Sequence, residues 1–259
     1  MGFAAARPLR IPGVYPVIGA ALFVSLILAA WVLGARAIRT GTEAEQRLAW
    51  AGGLLIVPFA LIALFWVGLG PPWVATPAEN VMRYFVLLAS SIAVTLGFLI
   101  LKEALRDSGE RTYSTLGSAA AILAGCAYLV WMCFMIGDFV GQVRDGHAPP
   151  MIVGLNDVLD VLLDVACLLT YLATAAFAAS FGRSSWFGRF AARAYVGMSL
   201  IASLFLLVRG ISFPDPTSLS TPWYTQPGFI AGIPAIPFIM PFLLGVLLLR
   251  RVGDGADPS

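Results

Sequence analysis

The chain has 259 residues, of which 59% are hydrophobic and only 12% charged, with mean hydropathy +0.88 and net charge +2. A soluble domain carries about twice that share of charge, which excludes a water-facing globular enzyme, a disordered chain and a nucleic-acid binder. Apolar runs near the ~20 residues that cross ~30 Å of hydrocarbon recur along the whole length, the pattern of a polytopic helical membrane protein.

Seven spans are predicted, at residues 14–35, 49–70, 83–102, 115–137, 157–181, 190–209 and 228–249. They make an all-α, single transmembrane domain over residues 1–259, with no soluble domain. The first span has a second reading. Arg7 and Arg10, the apolar run and Ala35-Arg36-Ala37 also fit a signal peptide with its cleavage site. Cleavage there would put the Arg-rich 36–48 loop outside, which the charges of the other loops argue against. At the outer start of the third span stands Arg83, a candidate partner for an outer carboxylate such as Asp138 or Asp164. The fourth span carries Gly117, Ala121 and Gly125 at four-residue spacing, a small-residue ridge for close helix contact.

The fifth span holds the main site candidates. Asp157, Asp160 and Asp164 follow i, i+3, i+7 and share one helix face, and Cys167 and Tyr171 continue the stripe. Asn156 is a plausible N-cap, and acids in a first turn complement the positive helix end, which accounts for Asp157 without any function. Asp164 lies about two turns in. A carboxylate there should face protein or a water-filled cavity, because exposure to lipid is costly. Asp164, Asp160, Asp138, Arg83 and Tyr171 form the candidate set for a cation, proton or amine. Arg193 in the sixth span reads as a side chain snorkelling to the nearer interface. In the seventh span Pro234, Pro237 and Pro241 each remove a backbone donor, and together they predict a kinked or unwound helix.

Of the 16 basic residues, 15 are Arg; eleven of the 16 fall on the side of the loops after spans one, three and five and of the C-terminus. The positive-inside rule then puts the N-terminus outside and the C-terminus in the cytoplasm of a cell (inner) membrane. Two outer loops share P-W-x-x-x-P, at Pro72–Pro77 and Pro222–Pro227. Their places suggest that spans one to three repeat as spans five to seven, with span four between. That 3+1+3 layout, and only the layout, is similar to that of the SWEET sugar exporters; their proline-glutamine motif is absent.

Several chemistries are missing. The one histidine, His147, is in an outer loop, which argues against haem. Retinal needs a lysine in the seventh span, and the single lysine is Lys102. No G-x-S-x-G, H-E-x-x-H or P-loop pattern occurs. The three cysteines lie in apolar segments and read as small packing residues. No cofactor or metal is expected. The sequence favours a small-solute or cation transporter with a site near the aspartate stripe. A membrane-embedded receptor or sensor, or an accessory subunit of a larger complex, stands as the alternative, and an intramembrane enzyme is less favoured. Expected partners are the lipid bilayer, the solute or cation, and a second copy or another membrane subunit, with no nucleic acid.

Overall fold

The computed structural model describes residues 14–69, 72, 75–212, 230–233 and 236–254, and these are helical with no strand among them. The helices are α1 (Val14–Thr40), α2 (Glu43–Leu69), α3 (Pro77–Asp107), α4 (Thr112–Asp145), the short α5 (Pro150–Gly154), α6 (Asn156–Arg183), α7 (Arg189–Ser212) and α8 (Ile239–Asp254), with a 3-10 turn at Ile230–Gly232 before α8. Six of them, α1 to α4, α6 and α7, are long and apolar enough to cross a membrane. The chain is an integral membrane protein.

The first six expected spans fall on these helices, the second reaching one residue past the described end of α2, and most helices run past them. Hydropathy marks the hydrocarbon, whereas a helix continues until something ends it. At α3 the start is a capping box: Thr76 accepts from the Glu79 N–H and the Glu79 carboxylate accepts from the Thr76 N–H. Thr42 and Glu45 make the same exchange at the head of α2.

The seventh span departs from expectation. Its only long helix, α8, has 16 residues, about 24 Å at 1.5 Å per residue and short of the hydrocarbon thickness. The prolines account for this in different ways. Pro237 sits buried in the turn that precedes α8. Pro241 does not break the helix; it occupies the first turn of α8, where a missing N–H leaves no intrahelical bond unmade. Pro234 lies outside the described residues.

Packing follows the chain. α1 lies on α2, α2 on α3, α3 on α4, α4 on α6 and α6 on α7, while α8 returns to pack on α2 and α1. The expected 3+1+3 repeat is not supported by this order. In the first triplet the middle helix packs along both neighbours, whereas among the described residues α7 meets the seventh segment at its 3-10 turn and shares no extensive contact with α8. The second P-W-x-x-x-P, and Trp73 and Val74 of the first, lie outside the described residues. α1 runs unbroken through Ala35–Ala37, the segment of the alternative cleavage reading. Ala37 is buried in a cluster with Ala49 and Ile56 of α2 and Leu249 and Val252 of α8.

Glycines set the closest crossings. A Cβ at Gly245 of α8 would stand 2.8 Å from the Gly52 carbonyl oxygen of α2, so these two backbones meet directly. The Gly117–Gly125 ridge of α4 serves two partners. Gly125 receives Thr95 of α3, and Gly117 lets the Phe177 ring of α6 pass over α4. There Phe177 stacks on Phe98 of α3 at 4.7 Å and 9°, joining two helices whose backbones lie on either side of α4.

Candidate functional site

Near one end of the α3–α4–α6 interface is a group of buried polar residues in a stretch apolar enough to lie in the membrane. α3 supplies Asn80, Arg83 and Tyr84, each nearly or wholly buried. Tyr84 packs edge-on to Trp131 and stacks on Phe139, both at 5.4 Å between centroids. Its hydroxyl lies in the electrostatic field of Arg83, of Asp138 on α4 and of Asp160 on α6. Tyr84 is thus one α3 side chain whose surroundings include these two carboxylates. Arg83, at 1% exposure, is set seven and fourteen residues before Ser90 and Gly97 on the side of α3 where Gly97 meets Leu54 and Leu55 of α2.

Two acceptors in this group stand out. Asn80 donates from Nδ2 to the Pro72 carbonyl at 2.8 Å, and its Oδ1 is buried with no hydrogen-bond partner among the described residues. Asp138 accepts at Oδ2 from Gln142 Nε2 at 2.9 Å, and its Oδ1 is likewise buried and without a hydrogen-bond partner. Both adjoin Tyr84. Asn80 is one turn before it on α3, and Asp138 precedes Phe139, whose ring stacks on it. Buried polar atoms are nearly always hydrogen-bonded, so two orphan oxygens at one level of a bundle suit a donor or a cation.

The aspartate stripe of α6 enters the bundle as it descends. Asp157 is exposed, Asp160 and Asp164 are half-buried, and Cys167 and Tyr171 are buried. The structure thus brings Asp160 and Asp138 into one neighbourhood, and it leaves Asp157 as a helix-end charge. Tyr171 does something else. Its hydroxyl donates to the Ala231 carbonyl at 3.2 Å, an oxygen in the 3-10 turn of the broken seventh segment. A carbonyl freed in the membrane must find a donor, and α6 provides it.

Below the charged group, the same three helices and the seventh segment enclose a cavity of about 10 Å³, room for about one water molecule. Ser91 and Thr95 of α3, Tyr128 of α4, Thr170 of α6 and Phe238 line it. The Tyr128 hydroxyl is 3.4 Å from the Cys167 sulfur, and Phe238 packs 5.5 Å from the Tyr128 ring. Ser91, Thr95 and Thr170 hydrogen-bond to carbonyls three or four residues earlier in their own helices. Cys126 and Cys133 are exposed on α4 while Cys167 is buried, and no group of three metal-ligating side chains occurs among the described residues.

Asn80, Tyr84, Tyr128 and Gln142 were not among the sequence candidates. Asn80, Arg83 and Tyr84 at i, i+3, i+4 within an apolar run were a readable signal of a polar helix face. No protein family, curated protein or solved structure matches this chain.

Proposed function

We propose that the chain is a seven-span transporter of a proton or small cation, with its outer site at Asp138, Asp160 and Tyr84. In this reading the seventh span is the 3-10 turn, the proline break and α8 together. The N-terminus is outside, the C-terminus is cytoplasmic, and the membrane is the cell (inner) membrane, as the Arg and Lys distribution favours. The observation that carries the proposal is the Asp138 Oδ1. A carboxylate oxygen held in the membrane region without a hydrogen-bond donor is costly, and a bound proton or cation removes that cost. The small cavity below has room for about one water, which suits passage of a proton. Asp164, half-buried between the two levels on α6, is the next group inward.

Flux into liposomes tests this. Protein in vesicles with a trapped dye selective for H⁺, Na⁺ or K⁺ should dissipate an imposed gradient of at least one of these ions faster than empty vesicles. Asp138→Asn should slow that flux at least about tenfold, the equivalent of ~1.4 kcal/mol, while Asp157→Asn leaves it near wild type. Wild-type vesicles that behave like empty ones for all three ions would sink the transport reading. Equal flux in wild type and Asp138→Asn would move the site elsewhere.

A further inference from the structure

The end of the bundle that carries the short turns at residues 41–42, 108–111 and 184–188 has an uneven charge. At the corner formed by α2 and α3, arginines stand beside acids. Arg47 bridges Glu43 and Asp107, the latter at 2.7 Å, and Arg106 is 3.7 Å from Glu103. At the corner formed by α7 and α8, Arg189, Arg193, Arg250 and Arg251 are all exposed, and none makes an ion pair among the described residues.

α7 and α8 both touch α6 and share no extensive contact with each other among the described residues. Trp186 links their ends. The Arg251 guanidinium lies 5.0 Å from its ring centroid, and α7 begins three residues later. The turn that holds Trp186 is fixed by the N–H groups of Trp186 and Phe187, which both donate to the Phe181 carbonyl. Arg189 and Arg193 are one helical turn apart and share a face. Beside them Phe190 is 87% exposed, an aromatic placed where hydrocarbon gives way to headgroups.

We propose that this corner binds the headgroup of an anionic diacyl phospholipid. Its phosphate lies between the Arg189/Arg193 pair and the Arg250/Arg251 pair, and its acyl chains lie along the exposed apolar face of α7 at Ile201, Leu204 and Phe205. Guanidinium forks match phosphate oxygens. The exposed aromatic and the exposed apolar face of α7 commit the site to a lipid rather than to a soluble phosphate. The inference stands apart from the transport reading and survives its failure.

Native mass spectrometry of the purified full chain tests it, after incubation with equal phosphatidylglycerol and phosphatidylcholine. Wild type should retain phosphatidylglycerol preferentially. Arg189→Gln with Arg193→Gln should lower that preference by about fivefold or more, since each basic residue near anionic headgroups contributes about that factor. Arg36→Gln with Arg39→Gln removes the same charge from the end of α1 and should keep the preference. Arg189→Lys with Arg193→Lys, which keeps the charge, should keep most of it and shows that loss is not misfolding. Equal loss in both glutamine doubles would overturn the proposal in favour of a face-wide charge effect. Displacement of the lipid by millimolar glycerol phosphate would overturn it in favour of a soluble anion.

Discussion

The two ends of this bundle are built differently. At the end with the short turns, buried polar groups are matched. Glu45 and Thr42 cap α2, and the buried Glu110 carboxylate accepts from the N–H groups of Tyr113 and Ser114 at the head of α4 and from the Ser180 hydroxyl at the tail of α6. At the other end α3 is also capped, but Asn80 and Asp138 each bury an oxygen without a hydrogen-bond partner among the described residues, and the seventh segment is a 3-10 turn and a short helix rather than one long helix. Proteins keep local conflicts of this kind where function needs them and compensate elsewhere. Here the compensation is spatially separate: a matched end holds the helices while the opposite end carries unmet polar groups.

That contrast can be broken by mutation, beginning with the largest effect. Gly245→Ala puts a methyl group 2.8 Å from the Gly52 carbonyl, a backbone atom that cannot rotate away. It should cost about 3 kcal/mol in detergent unfolding. Gly53→Ala, beside that crossing but with nothing within 4 Å of its Cβ, should be neutral or stabilising. Equal losses at both positions would mean that the α2–α8 crossing does not hold the bundle.

Next comes Glu110. Glu110→Ala strands the two α4 N–H groups and Ser180, and should cost about 2 kcal/mol. Burial works against the Glu110 charge, but the hydrogen bonds from Ser180, Tyr113 and Ser114 outweigh it and hold the carboxyl below the ordinary glutamate range. A depressed carboxyl contributes its stability above the unfolded-state value and loses it as pH falls below about 4.3 toward the lowered value. Thermal melts across that acid range should fall more steeply for wild type than for Glu110→Gln. Parallel curves would remove Glu110 from the matched end.

A smaller loss, about 1 kcal/mol, is expected for Tyr171→Phe, which leaves the Ala231 carbonyl without its donor. Faster hydrogen exchange around residues 230–233, with the rest of the chain unchanged, is the accompanying sign. The smallest effect should come from Asp138→Asn at the unmatched end, where melting should stay level or rise while flux falls. A large loss of stability there would show that Asp138 is structural and that the two ends do not differ as described.

Much of this architecture was legible beforehand because bilayer physics leaves few options. Apolar runs located α1 to α4, α6 and α7, and the small-residue spacing of Gly117, Ala121 and Gly125 located a real helix contact. What was not legible depended on partners distant in sequence. The stripe of α6 named Asp160 and Asp164, but helical periodicity cannot say that the Asp160 charge acts on Tyr84, a residue of α3. Tyr171 read as part of a ligand stripe, and its role as donor to a broken segment needs the position of Ala231. The three prolines looked equivalent until the start of α8 placed Pro241 in a first turn, where a proline is harmless. The capping signals T-x-x-E at Thr42 and Thr76 were present in the sequence and would have set the helix starts closer than hydropathy did.

The serial order of packing has a consequence for how the molecule is made. From α1 to α7 every extensive contact joins a helix to one already next to it in the chain, apart from the short α5, so each pair can settle as it leaves the ribosome and enters the bilayer. α8 is the exception. It packs on α2 and α1, which were synthesised nearly two hundred residues earlier, and its Gly245 must find Gly52 across that interval. Until α8 arrives, the α2 groove around Gly52 faces lipid. Quality control during biogenesis therefore turns on one late docking event, and a chain stalled before residue 239 would present an assembled row of hairpins that has not yet closed.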